Sequence, residues 1–387
     1  MKISPKKILI HYPVLNVGGA ENSTLRLMNL MLEHDWTVHL VLTTGGGALE
    51  GHLDPRIKVT RLRSKPAGDR FKQAQGMVAK LLSISDLLRY GWSRVEELFR
   101  SVPFLFRKYD AAMVALHGLS PRFVCRWVNA KKRFQWIRSD LTACDPSGKA
   151  AKNIKQFGTS INYYLCVAET VRQSIITIAP TVADKAVTLN NVLEINKMRA
   201  TAEKAHDPYP KGLNGLKVVT VCRLQDKSKG IFRMVDVHQE LNAAGIHFHW
   251  FVVGDGKDQD QLKRRIDATE LTDRFILVGR KENPFPYYRF ADLSATLSNY
   301  EGLCGTVNEA KACGKPVIAT RFSGIDEQIT HGKNGWIVEN NHNAIVSGLR
   351  RMLTDRKLRE SITNDDLPTG LTDDDGKLAA LCQMIES

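Results

Sequence analysis

The stretch that decides the fold is KILIHYPVLNVGGAENSTLRLMNLML, residues 7–32. Lys7 to His11 is a short apolar run, Asn16-Val-Gly-Gly-Ala-Glu21 supplies a glycine turn, and Leu25, Met28 and Leu32 follow at near-helical spacing. That order reads strand, turn, helix. Trp36 to Leu42 is a second β-prone run, closed by Thr43-Thr-Gly-Gly-Gly47, and Ala111 to Leu116, Arg133 to Ile137 and Tyr163 to Val167 add further strands, some with helical segments between them. Strands alternating with helices imply an α/β fold with a parallel, doubly wound sheet.

Beyond Asn196 the polar stretch His206-Asp-Pro-Tyr-Pro-Lys-Gly-Leu-Asn-Gly215 interrupts this pattern, and a second series opens with Lys217-Val-Val-Thr-Val-Cys222. It continues through His249 to Val253 before Gly254-Asp-Gly256, Phe275 to Val278 before Gly279, Leu293 to Leu297, and Pro316 to Thr320. The expected domains are therefore 1–195 and 196–366, each Rossmann-like, with a helical tail over 367–387. Two such halves facing each other leave a cleft, and ligands of open α/β sheets sit beyond the carboxyl ends of the strands.

With 387 residues, 43% hydrophobic and 25% charged, the chain is neither a small disulfide scaffold nor a disordered polymer. A formal charge of +14 admits nucleotides, anionic lipid or nucleic acid as partners. The seven cysteines are scattered without a C-x-x-C pair or a metal-ligand spacing, so free thiols in a reducing cytoplasm are expected. No stretch approaches the roughly 18 to 20 apolar residues that span a bilayer, and Ile8 to Leu15 lacks a signal-cleavage pattern.

Residues 61–108 stand apart, with eleven Lys or Arg against Asp69, Asp86, Glu96 and Glu97. Met77, Leu81, Ile84, Leu88, Val95, Leu98, Phe99 and Val102 recur every three or four residues, near Tyr90 and Trp92, and Pro103 closes the pattern. The spacing predicts an amphipathic helix or helix pair. Its apolar stripe is expected either to pack on the first domain or to touch an anionic membrane surface, which would make the protein peripheral on the cytoplasmic face of the inner membrane.

The chemistry concentrates in Ser298-Asn-Tyr-Glu301-Gly-Leu-Cys-Gly-Thr-Val-Asn-Glu309, two glutamates across a glycine-bearing turn at a helix start. Backbone N–H groups at Gly305 and Thr306 would open that helix, where unpaired donors and the positive dipole end suit phosphate oxygens. Glu309, one turn in, can accept hydroxyl hydrogen bonds. Arg223 ends the strand from Leu216, and Lys229-Gly230 follows six positions later. Two fixed cations there would neutralise a departing diphosphate.

In this order and spacing the residues resemble glycosyltransferase family 4, the retaining "glycosyl transferases group 1" of GT-B fold. The resemblance covers Val17 to Glu21, Arg223 with Lys229-Gly230, Val278 to Leu293, Glu301 to Glu309, Gly324 to Glu327 and Gly332 to Val338. It implies Glu301 on donor-sugar hydroxyls, Glu309 on the ribose, Gly305 and Thr306 on the phosphates, Arg280 or Lys281 near the base, and Gly18 and Gly19 approaching the diphosphate from the opposite domain. Arg223, Lys229 and Glu301 would be the catalytic group. Many members place a His in the stretch aligned with Gln135 to Asp140, where this chain has Arg138; His117 and Asp140 are the other candidates for donor or acceptor contact. Cys304 and Asn308 depart from the family's usual Gly and apolar residue.

The function so implied is transfer of a UDP-linked hexose or N-acetylhexosamine to a polysaccharide, lipopolysaccharide or lipid-linked glycan (EC 2.4). No metal and no cofactor besides the nucleotide-sugar substrate is expected, and Asp373-Asp-Asp375 reads as a dipole partner for a helix over Lys377 to Ile385. The alternatives are a non-catalytic partner subunit and a basic nucleic-acid-binding α/β protein, though no RNA-recognition, zinc or helix-turn-helix signature is present. An oxidoreductase is disfavoured because Gly18-Gly19 is not G-x-G-x-x-G.

Overall fold

The computed structural model describes residues 3–64, 84–145, 147–362 and 367–387. The chain divides into two compact units, the first comprising Met1–Val167, Arg172–Leu189 and Asp375–Ser387, the second Ala168–Val171 and Asn190–Asp374. The final helix, Asp374–Glu386, thus belongs almost wholly to the first unit. Ser4 and Lys6 both donate to the Glu386 carboxylate there, at 2.8 and 2.6 Å.

In the first unit the described residues form a seven-stranded sheet from β1 (Lys7–Tyr12), β2 (Thr37–Thr44), β3 (Lys58–Arg63), β4 (Tyr109–Val114), β5 (Ala130–Ile137), β6 (Tyr163–Cys166) and β7 (Ala186–Thr188). Its order is β3-β2-β1-β4-β5-β6-β7, with every pairing parallel. The helix Gly19–Glu33 follows β1 directly, as the glycine turn requires.

The second unit carries a six-stranded parallel sheet from β8 (Leu216–Val221), β9 (Phe248–Val253), β10 (Phe275–Gly279), β11 (Leu293–Thr296), β12 (Val317–Thr320) and β13 (Trp336–Val338), in the order β10-β9-β8-β11-β12-β13. Alternate side chains of each strand enter different cores. Phe248, Trp250 and Val252 join Ile231, Leu241, Ile345 and Leu349 on one side, while Phe251 and Val253 join Tyr288, Val307 and Ala310 on the other. A strand buried on both faces is largely apolar, which is why β9, His249 apart, reads as a continuous hydrophobic run rather than an alternating one. The indole N–H of the run is satisfied internally: Trp250 Nε1 donates to Thr220 Oγ1 at 3.0 Å, and that hydroxyl donates to Ala295 O at 2.7 Å. Each fully buried side chain of this kind contributes about 1.5–3 kcal/mol.

Within the segment 61–108, residues 65–83 lie outside the described residues, so Met77 and Leu81 are not placed. Ile84–Ser101 is helical and lies along β3 by its polar side. Arg63 Nε and Nη2 donate to Glu97 Oε2 at 2.9 and 2.6 Å, Ser64 N and Oγ donate to Glu96 Oε2 at 2.9 and 3.0 Å, and Arg100 Nη1 donates to Arg61 O at 2.8 Å. Leu88, Trp92, Val95, Leu98 and Phe99 are exposed. For Leu88, Val95, Leu98, Phe99 and Val102 the expectation that the apolar stripe packs on the first domain is therefore overturned, because the carboxylates of Glu96 and Glu97 occupy the inner face.

Candidate functional site

In the second unit the strand order reverses between β8 and β11, which are neighbours although β9 and β10 intervene in sequence. Loops leaving two such strands diverge to opposite faces and open a crevice at their carboxyl ends. The turn after β8 carries Arg223 and the short helix Asp226–Lys229; the loop after β11 carries Ser298 to Glu301. Backbone and side-chain bonds lace them together. Asn299 N donates to Ser228 O at 2.8 Å, and Asn299 Nδ2 donates to Asp226 O and Lys227 O at 3.1 and 3.2 Å. Asn340 Nδ2, in the loop after β13, and Thr320 Oγ1, at the end of β12, donate to Ser298 O at 3.3 and 2.7 Å.

On that scaffold Lys229 Nζ donates to Glu301 Oε1 in a half-buried ion pair, and Ser298 Oγ donates to the same oxygen at 2.7 Å. Burial works against the ammonium, but the Glu301 carboxylate outweighs it and holds the Lys229 pKa above its ordinary value. Lys229 is therefore a permanent cation at neutral pH. Gly230, with φ +58, ends this turn where an added Cβ would lie 2.6 Å from Leu297 O, so glycine is required by both conformation and space.

The helix Gly305–Ala312 starts just past Glu301, with Cys304 at its N-cap and no side chain capping it. An added Cβ at Gly305 would meet nothing within 4 Å, so the space beside its first turn is open. Gln328 fixes this start: its Oε1 accepts from Cys304 N at 2.9 Å, and its Nε2 donates to Cys304 O and Asn308 Oδ1, both at 2.8 Å. Lys311 Nζ in turn donates to Gln328 O at 2.8 Å. All three side chains, Gln328, Asn308 and Lys311, are fully buried. Asn308 thus stands at an unusual position because it completes a polar clamp. Sequence reading did not single out Gln328, whose only signal was its place after Gly324 to Glu327.

Thr306 is on the first turn, its Oγ1 3.2 Å from Cys304 Sγ. Glu309 is half-buried one turn on; burial first and its charge second hold the Tyr288 phenol well above the usual range. Burial likewise pushes the Cys222 and Cys304 thiols up to about 12 and about 11, so neither is a nucleophilic thiolate at neutral pH. Arg223 is exposed; Arg280 is exposed too, but follows β10, with β9 between it and β8. Two strand spacings put the end of β10 about 10 Å from the end of β8, so the Arg280 turn lies farther from the turn after β8 than does the loop after the neighbouring β11.

In the first unit Gly18 and Gly19 open the helix Gly19–Glu33. Arg138 is buried behind it: Nη1 and Nη2 donate to Ser23 Oγ and Thr24 Oγ1, each at 2.7 Å, Nε donates to Ala115 O at 2.9 Å, and the guanidinium lies 3.8 Å over the Trp136 ring. Burial lowers its pKa to about 10, leaving it charged. Its place is that of a tie between helix and sheet. His117 Nδ1 accepts from Arg138 N at 3.3 Å, and burial with the nearby guanidinium lowers its pKa to about 4, so it is neutral. Asp140 Oδ1 accepts from Thr142 N at 2.9 Å and caps the helix Leu141–Cys144. Among the described residues no group of three or more His, Cys, Asp and Glu could hold a metal ion.

Residues 201–365 match the family model "Glycosyl transferases group 1". The chain is 30% identical over 149 residues to the N-acetylgalactosamine-N,N'-diacetylbacillosaminyl-diphospho-undecaprenol 4-alpha-N-acetylgalactosaminyltransferase of Campylobacter jejuni, covering 38% of this chain and 40% of that one. The chain spans between about a quarter and a half of the length of the curated relatives it matches. In three dimensions it is similar to HepE of Anabaena, solved with UDP and glucose, at TM-score 0.72 and 17% identity over 99% of this chain and 100% of the other. It is similar also to TarM of S. aureus, solved with UDP, at TM-score 0.75 and 16% identity over the same shares. At these identities the likeness establishes the two-sheet GT-B fold.

Proposed function

Since the chain belongs to the glycosyl transferases group 1, matched over residues 201–365, we propose that it transfers a sugar from a nucleotide donor to a glycan in the assembly of a polysaccharide, lipopolysaccharide or lipid-linked oligosaccharide. The donor is a UDP-linked hexose or N-acetylhexosamine; the UDP held by HepE and TarM supports the choice of base. The observation that carries the reading is the Lys229–Glu301 pair beside the helix start at Gly305.

The roles follow from charge and reach. Lys229 and Arg223 hold the diphosphate, and the N–H groups of Gly305 and Thr306 take its remaining oxygens, where the helix dipole favours negative charge. Glu301 keeps Lys229 and Ser298 on Oε1 and offers Oε2 to a donor-sugar hydroxyl. Glu309 takes the ribose, and Arg280 lies toward the base. As the bond from the anomeric carbon to the diphosphate oxygen breaks, charge grows on that oxygen, and preformed cations stabilise it without reorganising. The acceptor hydroxyl attacks from the same face, the departing diphosphate takes its proton, and the anomeric configuration is retained. Gly18, Gly19, His117, Arg138 and Asp140 serve the first unit, with Arg138 acting through the helix it ties down.

A panel of UDP-, GDP- and ADP-sugars, with release of the nucleoside diphosphate as the readout, tests the proposal. UDP release from one or two sugars, lost in Lys229→Met and Glu301→Gln, is expected; no release from any donor with any glycan acceptor would refute it.

A further inference from the structure

A helix on the surface of a water-soluble domain turns its apolar stripe inward, and the helix Ile84–Ser101 does the reverse. Glu96 and Glu97 face β3, bound to Ser64 and Arg63, and Ser93 and Ser101 are buried. Leu88, Trp92, Val95 and Phe99 recur at i, i+4, i+7 and i+11, with exposures of 70% for Leu88, 74% for Trp92 and 72% for Phe99. The turn Val102–Leu105 continues the ridge, and Phe106 beyond it is 81% exposed. Contiguous exposed side chains of this size mark an interaction surface.

Charge identifies the partner. Glu96 and Glu97 are turned onto the protein, where Arg100 pairs with Glu96 at 2.7 Å and Arg94 and Arg63 pair with Glu97 at 2.8 and 2.6 Å, whereas Arg89 and Lys108 are exposed beside the ridge. Lys and Arg flanking Trp, Phe and Leu is the composition of a helix lying in a membrane interface. Two copies meeting ridge to ridge would instead bring like charges together. No helix among the described residues is long and apolar enough to cross a bilayer, which limits the contact to one leaflet.

We infer that the outward face of Ile84–Ser101, extended by Val102 to Phe106, docks this protein on an anionic lipid bilayer, with Trp92, Phe99 and Phe106 entering the headgroup region and Arg89 and Lys108 pairing with lipid phosphates. The inference stands independently of the sugar-transfer reading, since it uses none of its residues.

Co-sedimentation of the full chain with phosphatidylglycerol/phosphatidylethanolamine vesicles, against phosphatidylcholine vesicles, tests it. Each basic residue near the surface contributes roughly fivefold to partitioning, so binding at least about tenfold tighter to the anionic vesicles, weakened by salt, is expected. Trp36, Trp136 and Trp250 are already buried; a blue shift of emission on vesicle addition that disappears in Trp92→Phe would report entry of Trp92. Trp92→Ser/Phe99→Ser should lose about tenfold or more in binding with an unchanged melting temperature, because both side chains are exposed in the free protein. Equal binding to both vesicle types, unchanged binding of the double variant, or a dimer that the double variant dissolves without any lipid affinity would each overturn the inference.

Discussion

Lys229 and Glu301 are 72 residues apart in sequence and form an ion pair where the loops after β8 and β11 meet. The carboxylate holds the ammonium pKa above its ordinary value against the effect of burial. A raised folded value means that the pair's contribution is complete below the unfolded value of about 10.4 and is lost only as pH rises past it. UDP affinity should therefore change by less than about twofold between pH 7 and 9, measured by titration calorimetry. A steep fall within that window would show that Lys229 is not the cation holding the phosphates.

Gln328 makes three hydrogen bonds that set the start of the helix Gly305–Ala312. Gln328→Ala orphans Cys304 N and Asn308 Oδ1 in a dry interior and removes one donor from Cys304 O, at a cost of about 2–4 kcal/mol. Urea unfolding should show that loss, and UDP affinity at low denaturant should fall as well if the N–H groups of Gly305 and Thr306 take the phosphates as proposed. Lost affinity without lost stability would mean that Gln328 touches ligand directly.

Gly324 sits at φ +77 with an added Cβ only 2.1 Å from Gly302 O, whereas Gly314 sits at φ +69 with nothing within 4 Å. Both Ala substitutions carry the conformational penalty, about 1 kcal/mol, but only Gly324→Ala must push the loop that bears Glu301. Gly324→Ala should lower sugar transfer strongly and Gly314→Ala hardly at all; equal losses would detach the loop's position from activity.

Burial pushes His11 down to about 3 and His39 and His238 to about 4, against about 6.5 unfolded. The unfolded chain thus binds more protons below pH 6.5, so this contribution to stability is present above that pH and is lost as pH falls through 4. At about 1.4 kcal/mol per unit the contribution of each histidine is on the order of a few kcal/mol. Melting temperature should hold between pH 7 and 8.5 and drop toward pH 4, and His238→Gln, which can still donate to Phe248 O as the ring Nε2 can, should shallow the drop.

Central strands were legible because burial on both faces forces continuous apolar runs, as in β9. The three strands that the sequence reading passed over, β3, β7 and β13, all lie at sheet edges. β3 is Lys-Val-Thr-Arg-Leu-Arg, whose interleaved charges suit an edge exposed to water, while Ala186–Thr188 and Trp336–Val338 are three residues each and too short to show a period. Arg223, Lys229 and the two glutamates were recognisable through family resemblance, since spacing alone cannot bring residues 229 and 301 together. The direction in which Ile84–Ser101 turns its stripe, and the burial of Arg138 against Ser23 and Thr24, depend on partners distant in sequence. So does the packing of the tail after residue 366.

The most direct measurement is UDP binding by isothermal titration to the wild-type chain, Lys229→Met, Arg223→Ala and Glu301→Gln, with circular dichroism to verify folding. If the crevice at β8 and β11 grips a nucleoside diphosphate, Lys229→Met and Arg223→Ala each lose at least about tenfold in affinity, since a hydrogen bond to a charged group is worth about 1.5–3 kcal/mol. Glu301→Gln should keep UDP affinity but lose sugar transfer. Folded Lys229→Met and Arg223→Ala variants that bind UDP as tightly as the wild type would contradict the account.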